Sequence, residues 1–244
     1  MDDIKDFQNQ VQQNIKALGE NEELKKLSRE WHIASGDGNY VYNFSWMGMP
    51  IIQLPQDIMA MQEIIFQVQP DLIVETGIAR GGSLIFYASM LELLNGGGEV
   101  LGIDIDIRAH NYERIIKHPM YKHITMIEGS SIEEATADKV RAFAENKKRI
   151  LVCLDSHHTH QHVLQELELY APLVTKDSYC IVFDTCVEDL PEYLSDNRPW
   201  GHGNSPKSAV FEFLESHTEF EIDKSVEDKI VLTSSPSGYL KKVR

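Results

Sequence analysis

The sequence is poor in cysteine, in basic residues and in long apolar runs, and each shortage removes a class of protein. Three cysteines, Cys153, Cys180 and Cys186, are odd in number, and the first two sit inside apolar strand-like runs. They read as buried thiols in a reducing compartment, not as a disulfide frame or a zinc site. Lys and Arg number 23 against 38 Asp and Glu, a net charge of −15. That deficit argues against a phosphate-backbone footprint and against adhesion to anionic membranes, so nucleic acid is not an expected partner. No run approaches the ~18 apolar residues of a membrane span, and the opening MDDIKDFQNQVQQNIK has no apolar h-region. A cytoplasmic protein without integral membrane association is expected. Internal repeats, low-complexity tracts and a GxGxxG dinucleotide fingerprint are missing as well.

What is present is enough for one sizeable core: 244 residues, 42% of them hydrophobic. The chain is organised around LIVETGIARGGSLIFYASMLELLNGGGEVLGIDIDIR, residues 72–108. It reads as a buried strand (Leu72 to Glu75), a glycine-bearing turn, an apolar-faced helix (Ser83 to Leu94), a glycine break (Gly96 to Gly98) and a second strand (Val100 to Asp106). Strand, tight turn, helix and strand form the first βαβ unit of a doubly wound sheet.

The remaining pattern fits around that unit. Residues 1–30 place Ile4, Phe7, Val11, Ile15, Leu18 and Leu24 at helical spacing, which predicts an amphipathic helix and a second short one. An aromatic, glycine-rich stretch follows, an irregular cover whose Tyr40, Tyr42 and Trp46 are candidates for a pocket mouth. A helix runs from Gln56 to Val68. Beyond the βαβ unit, helices at 109–117, 132–146 and 159–170 alternate with strands at 124–128, 149–155 and 178–184, as in a parallel sheet covered on both faces. The Pro- and Gly-rich loop 189–207 has the length of a lid. A helix at 209–217 precedes an expected antiparallel strand pair, Phe220 to Val226 and Ile230 to Ser234. The expected fold class is α/β, a doubly wound, mostly parallel Rossmann-like sheet with an antiparallel C-terminal pair.

Ligands of such sheets sit outside the carboxyl ends of the strands. There the sequence places Glu75 and Gly77 after strand one, Asp104 after strand two, Ser130 after strand three, Asp155 to His158 after strand four and Asp184 after strand five. In the turn ETGIARGG the position of a second fingerprint glycine is Ala79, and the acid before it suits a cationic or amino-bearing ligand better than a phosphate. Gly77 passing the methionine part and Asp104 on the ribose diol describe an S-adenosylmethionine site, with Ser130 toward the adenine. The candidate cofactor-binding residues are Glu75, Gly77, Ser83, Asp104, Ser130 and Asp155. The competing reading makes Gly77, Gly81 and Gly82 plain turn and packing glycines.

Four histidines crowd the run DSHHTHQH, at 157, 158, 160 and 162. His158 and His162 share a helix face, so with Asp155 they imitate the two-His-one-carboxylate site of non-haem iron. A second partition makes Asp155 and Asp184 hard oxygen ligands for Mg²⁺ and leaves one histidine as general base toward a metal-bound hydroxyl. The second partition is preferred because it requires only strand-end geometry.

The segments ETGIARGGSLIFYASML, LGIDIDIR, IEGSS, LDSHHTHQHVLQELELYAPLV, FDT, RPWGHGNSPKSAVFEFL and SSPSGYLKK together resemble the cephalosporin hydroxylase family, also called the CmcI or rhamnosyl O-methyltransferase family, over roughly residues 30–243. The resemblance implies a Rossmann-type, S-adenosylmethionine-dependent, Mg²⁺-assisted O-methyltransferase, often oligomeric. It implies Asp155 and Asp184 as metal ligands and His158 as base. The expected organisation is a single domain, with residues 1–55 a helical and aromatic cover on a methyltransferase domain at 56–244. One departure stands out. Where the cephamycin-pathway members of the family carry an acidic pair after strand five, this chain has Phe183 and only Asp184, so a metal held by two carboxylates would bind more weakly or recruit Thr185 or water.

Three readings follow. In the first, a small-molecule or saccharide hydroxyl attacks the sulfonium methyl, with loop 198–204 and the aromatic cover closing over it, in a homo-oligomer. The second is an iron hydroxylase using Asp155, His158 and His162. The third is a non-catalytic partner of an oxygenase.

Overall fold

The computed structural model describes residues 3–36, 38–94 and 97–244. The Gly96 part of the expected glycine break lies outside them. Helices α1 (Asp3–Gly19) and α2 (Glu22–Gly36) come first, and α2 is a full helix of 15 residues, not a short one. A small hairpin, β1 (Phe44–Trp46) with β2 (Met49–Ile51), precedes α3 (Pro55–Val68). The alternating part runs β3 (Leu72–Thr76), α4 (Gly82–Leu93), β4 (Glu99–Asp104), α5 (Ala109–Ile116), β5 (Ile124–Glu128), α6 (Glu134–Ala144), β6 (Ile150–Leu154), α7 (His160–Tyr170) and β7 (Tyr179–Val182). The chain closes with α8 (Pro206–Ser216), β8 (Phe220–Ile222), α9 (Lys224–Ile230) and β9 (Tyr239–Lys242).

The main sheet has seven strands in the order β5-β4-β3-β6-β7-β9-β8, parallel up to β7 and antiparallel thereafter. Period-2 alternation sorts its side chains into two cores. Ile73, Leu151 and Cys153 pack on α3 and α4, while Leu72, Val74, Val152 and Leu154 pack on α6, α7 and α8. With apolar cover on both faces, the strands read as continuous hydrophobic runs, as a buried parallel sheet requires. All three cysteines are buried and free. Among the described residues, no helix is long and apolar enough to cross a membrane.

The C-terminal pair exists, but its second strand is not where the periodicity puts it. Residues 224–230 form α9, whose cap is the Asp223 side chain accepting from the Ser225 N–H at 3.1 Å. The run from Ile230 turns away at Val231, which has φ 64°. Strand β9 is instead YLKK, and burial of Tyr239 and Leu240 between β7 and β8 selects it. The loop before it is held by the buried Asp57 of α3, which accepts from Thr233 Oγ1, Ser234 N–H, Ser234 Oγ and Tyr239 OH.

The aromatic cover packs inward and away from the strand ends. Trp46 donates from Nε1 to Ser89 Oγ at 2.9 Å and meets Phe86 edge-on, Tyr40 sits between Trp31 and Phe44, and Tyr42 is exposed. None of the three lines the cavity described below.

Candidate active site

The chain leaves β3, crosses outward to β4 and β5, then returns to place β6 on the other side of β3. That reversal opens a crevice between the carboxyl ends of β3 and β6. Gly77 and Asp155 meet there. Gly77 has φ 91°, and a Cβ on it would overlap the Asp155 carbonyl oxygen, so both the backbone conformation and the close approach require glycine.

A cavity of about 440 Å³ opens at this point, lined by Gly77, Asp104, Ser130, Ser131, Asp155 and His157 among others. Asp104 ends β4 and holds the turn from below. Its Oδ2 accepts from Ile78 N–H (2.8 Å) and Ala79 N–H (3.1 Å), and its Oδ1 from Asp106 N–H (3.1 Å). A carboxylate has about four acceptor positions, so one remains for a ligand hydroxyl. Ser83 donates to Glu75 Oε2 at 2.6 Å; its hydroxyl orients the acid, and the residue borders a narrow cleft beside Gly77 rather than the large cavity. Glu75 is fully buried, its Oε1 has no partner, and burial pushes its carboxyl up to about 8 against the modest pull of Ser83 and Tyr87.

Asp155, His158 and Asp184 offer ligand atoms within 4.8 Å of one another. His158 Nε2 lies 3.1 Å from Asp184 Oδ2. Burial first, then the neighbouring carboxylates Asp184 and Glu75, hold the Asp155 carboxyl well above the usual range. Among the described residues no lysine or arginine pairs with Glu75, Asp104, Asp155 or Asp184. Acids drawn together without a counter-cation, with one imidazole beside them, fit a divalent ion. Phe183 points into the core beside Tyr179 and Ile181, whereas Asp184 turns out in a left-handed conformation with φ 54°. The carboxylates available to a metal here are therefore Asp155 and Asp184. Thr185 is buried and its hydroxyl donates to the Pro236 carbonyl at 2.7 Å, which leaves only its oxygen lone pairs to offer.

The other histidines separate from this cluster. His162 Nε2 approaches Ser131 Oγ and Ser156 Oγ, both at 3.1 Å, and the buried Glu166 at 3.4 Å. The iron triad of Asp155, His158 and His162 is therefore not assembled. His160 binds Ser208 and Glu212 on α8, and His157 contacts Thr159. Sequence reasoning missed two residues. Trp200 stands edge-on to His158 at 4.8 Å between ring centres, with Arg198 over its indole. Its loop is pinned by Glu188, which accepts from Gly203 N–H and Ser205 Oγ. Gln53, just after the hairpin, lines a narrow cleft beside Gly77 and Asp155. Loop 198–204, with its RPWGHGN run, was expected over the acceptor without Trp200 being singled out, and no motif announces Gln53.

Residues 38–243 match the family described as Rhamnosyl O-methyltransferase/CmcI. The chain is 29% identical over 209 residues to rhamnosyl O-methyltransferase of Mycobacterium leprae (strain TN), covering 83% of this chain and 85% of that one. It is 28% identical over 206 residues to the protein of the same name from Mycobacterium tuberculosis (strain ATCC 25618 / H37Rv), covering 83% and 80%. Among solved structures it superposes on CmcI with Mg and SAM at a TM-score of 0.59 and 18% identity, covering 83% of this chain and 78% of that one. An apo CmcI structure gives 0.58 at 18% identity, with 83% and 77% covered. These likenesses show a shared fold.

Proposed function

This chain belongs to the Rhamnosyl O-methyltransferase/CmcI family, and from that premise we propose that it transfers a methyl group from S-adenosylmethionine to a saccharide hydroxyl with the help of Mg²⁺. One observation carries the reading: the Asp155, His158, Asp184 cluster stands at the edge of the cavity built on Gly77, Asp104 and Ser130. The donor set fits both groups. Glu75, buried with an unpartnered oxygen, is a proton-bearing carboxyl that a nearby cation such as a sulfonium would ionise, and the unpaired Asp155 and Asp184 suit a hard divalent ion. When bound, S-adenosylmethionine supplies an electrophilic methyl group and Mg²⁺ a Lewis acid that acidifies the acceptor hydroxyl.

The chain's own residues do the rest. Asp104 would take a ribose hydroxyl on its one free acceptor position and Ser130 would face the adenine. Asp155 and Asp184 hold the metal. His158 would take the proton of an acceptor hydroxyl as the bound donor gives up its S–CH3 bond and leaves as S-adenosylhomocysteine, and Asp184, 3.1 Å from its Nε2, would stabilise the imidazolium that results. Trp200, held against His158, offers an aromatic wall for a sugar ring and helps exclude water. Because the relatives are named rhamnosyl O-methyltransferases, a rhamnosyl glycoside is the first acceptor to test. The iron hydroxylase reading is not favoured, since His162 is held elsewhere by Ser131, Ser156 and Glu166.

We read residues 1–55 as a cover on the domain formed by 56–244. A reducing, cytoplasmic setting agrees with three buried free thiols. A homo-oligomer is supported by the exposed Ile4 and Phe7 of α1, which form an apolar stripe open to a second copy. The test is calorimetry with S-adenosylmethionine, with and without MgCl₂, followed by methyl transfer to a rhamnosyl glycoside. Binding that Mg²⁺ leaves intact, with turnover that requires it, is expected; absence of cofactor binding overturns the proposal.

A further inference from the structure

Gln53 is 4% exposed, and neither its Oε1 nor its Nε2 has a hydrogen-bond partner. A buried primary amide in that state is unfavourable and requires an explanation. Its place in the fold supplies one. The segment from Pro50 to Gln53 lies across the N-terminus of α4 so tightly that a Cβ at Gly82 would overlap the Pro50 carbonyl. It thereby sets the amide over the start of a 12-residue helix that has no side-chain cap. The cleft between them, about 40 Å³, is bordered by Gln53, Ser83, Gly77 and Asp155.

This cleft is continuous with the large cavity. Gly77, Ala79 and Asp155 border both, so a ligand whose broad end fills the 440 Å³ cavity can extend a narrow end past Gly77 toward Gln53. The groups waiting there are of two kinds. Helix N–H groups and the amide Nε2 donate, and they suit a carboxylate. The amide Oε1 and the Asp155 carboxylate accept, and they suit an ammonium. That pairing complements a free α-amino acid end.

Resting on the methyl-donor reading above, we propose that Gln53 and the α4 N-terminus form a subsite for the α-amino-acid end of the donor and of its demethylated product. Gln53, from the cover outside the βαβ unit, selects ligands that carry both ammonium and carboxylate. The orphaned amide is then the free state of a binding residue.

The experiment compares S-adenosylhomocysteine with 5′-methylthioadenosine, which keeps the nucleoside and thioether and lacks the amino acid, by calorimetry on the full chain. Wild type binds the first more tightly. In the near-isosteric Gln53→Met, S-adenosylhomocysteine weakens about ten- to hundredfold, as for lost hydrogen bonds to charged groups, while 5′-methylthioadenosine stays within about twofold. The ligand-free variant melts at or above the wild-type temperature, because two unpartnered buried atoms are gone. Gln53→Glu, which sets a negative charge beside the carboxylate, weakens S-adenosylhomocysteine further and again spares the shorter ligand. Equal losses for both ligands, or an unchanged S-adenosylhomocysteine affinity, overturn the subsite. If the subsite alone is wrong, the wild type still binds both; if it binds neither, the methyl-donor reading falls and takes the subsite with it.

Discussion

Replacing Glu75 by Gln should change how stability depends on pH, and the direction follows from burial. The carboxyl titrates near 4.5 when unfolded and near 8 in the fold, chiefly because it is desolvated, with Ser83 and Tyr87 opposing. Between those values the folded protein keeps a proton that the unfolded chain has released. Folding therefore takes up a proton, and stability falls as pH rises through the window, levelling below 4.5 and above 8. At about 1.4 kcal/mol per pH unit, this one group removes at most about 5 kcal/mol across the window. Burial also raises Asp57 and Asp155, which add slopes of the same sign, so the informative quantity is wild type minus variant. Gln is isosteric and keeps an acceptor for Ser83 Oγ. Urea midpoints between pH 5 and 8.5 should show wild type losing stability faster than Glu75→Gln. Parallel curves would mean that Glu75 is ionised in the fold and that a nearby cation offsets its burial.

The other predictions concern the site and its supports. Gly77→Ala forces a side chain into a φ of 91° and onto the Asp155 carbonyl; a stability loss of about 1–3 kcal/mol and failure to bind S-adenosylhomocysteine are expected, and normal binding would remove the turn from the cofactor site. His158→Ala should cut methyl transfer about 10²–10⁴-fold with cofactor affinity near wild type by calorimetry; full turnover would hand the base role to another histidine or to water. Asp57→Ala leaves Thr233, Ser234 and Tyr239 donors buried without their acceptor, so chemical denaturation should report a loss of about 3–5 kcal/mol; a change within experimental error would show that the loop closes on other contacts.

The parts of the fold legible in the sequence are those where burial on both faces makes the signal redundant. Strands β3, β4, β5, β6 and β7 are apolar runs bounded by glycine, acid or proline, and their helices fill the intervals. The misplaced C-terminal strand lacks that redundancy. YLKK is two buried residues followed by two lysines, and its strand character comes from lying between β7 and β8. Residues 224–230 carry β-branched residues that imitate a strand, but the Asp223 cap decides for a helix. Within the site, Asp155, His158 and Asp184 were legible because strand ends converge by topology. Trp200 and Gln53 were not, since a long loop anchored by Glu188 carries one and the missing partners of the other exist only in three dimensions.

The contact between Gly77 and Asp155 explains why the two halves of the site belong together. Asp155 N–H donates to the Thr76 carbonyl at 2.9 Å, and Gly77 N–H donates to the Ile103 carbonyl at 2.7 Å. The glycine turn, the strand end bearing Asp155 and the strand bearing Asp104 are thus joined through backbone, without a flexible side chain between them. Any displacement of the turn by a ligand on Asp104 or Gln53 reaches Asp155 directly, and any pull on Asp155 from a cation reaches the turn. Donor and cation should therefore influence each other's affinity reciprocally, and Gly77 is the position through which that coupling passes, because only a residue without Cβ lets the two strand ends touch.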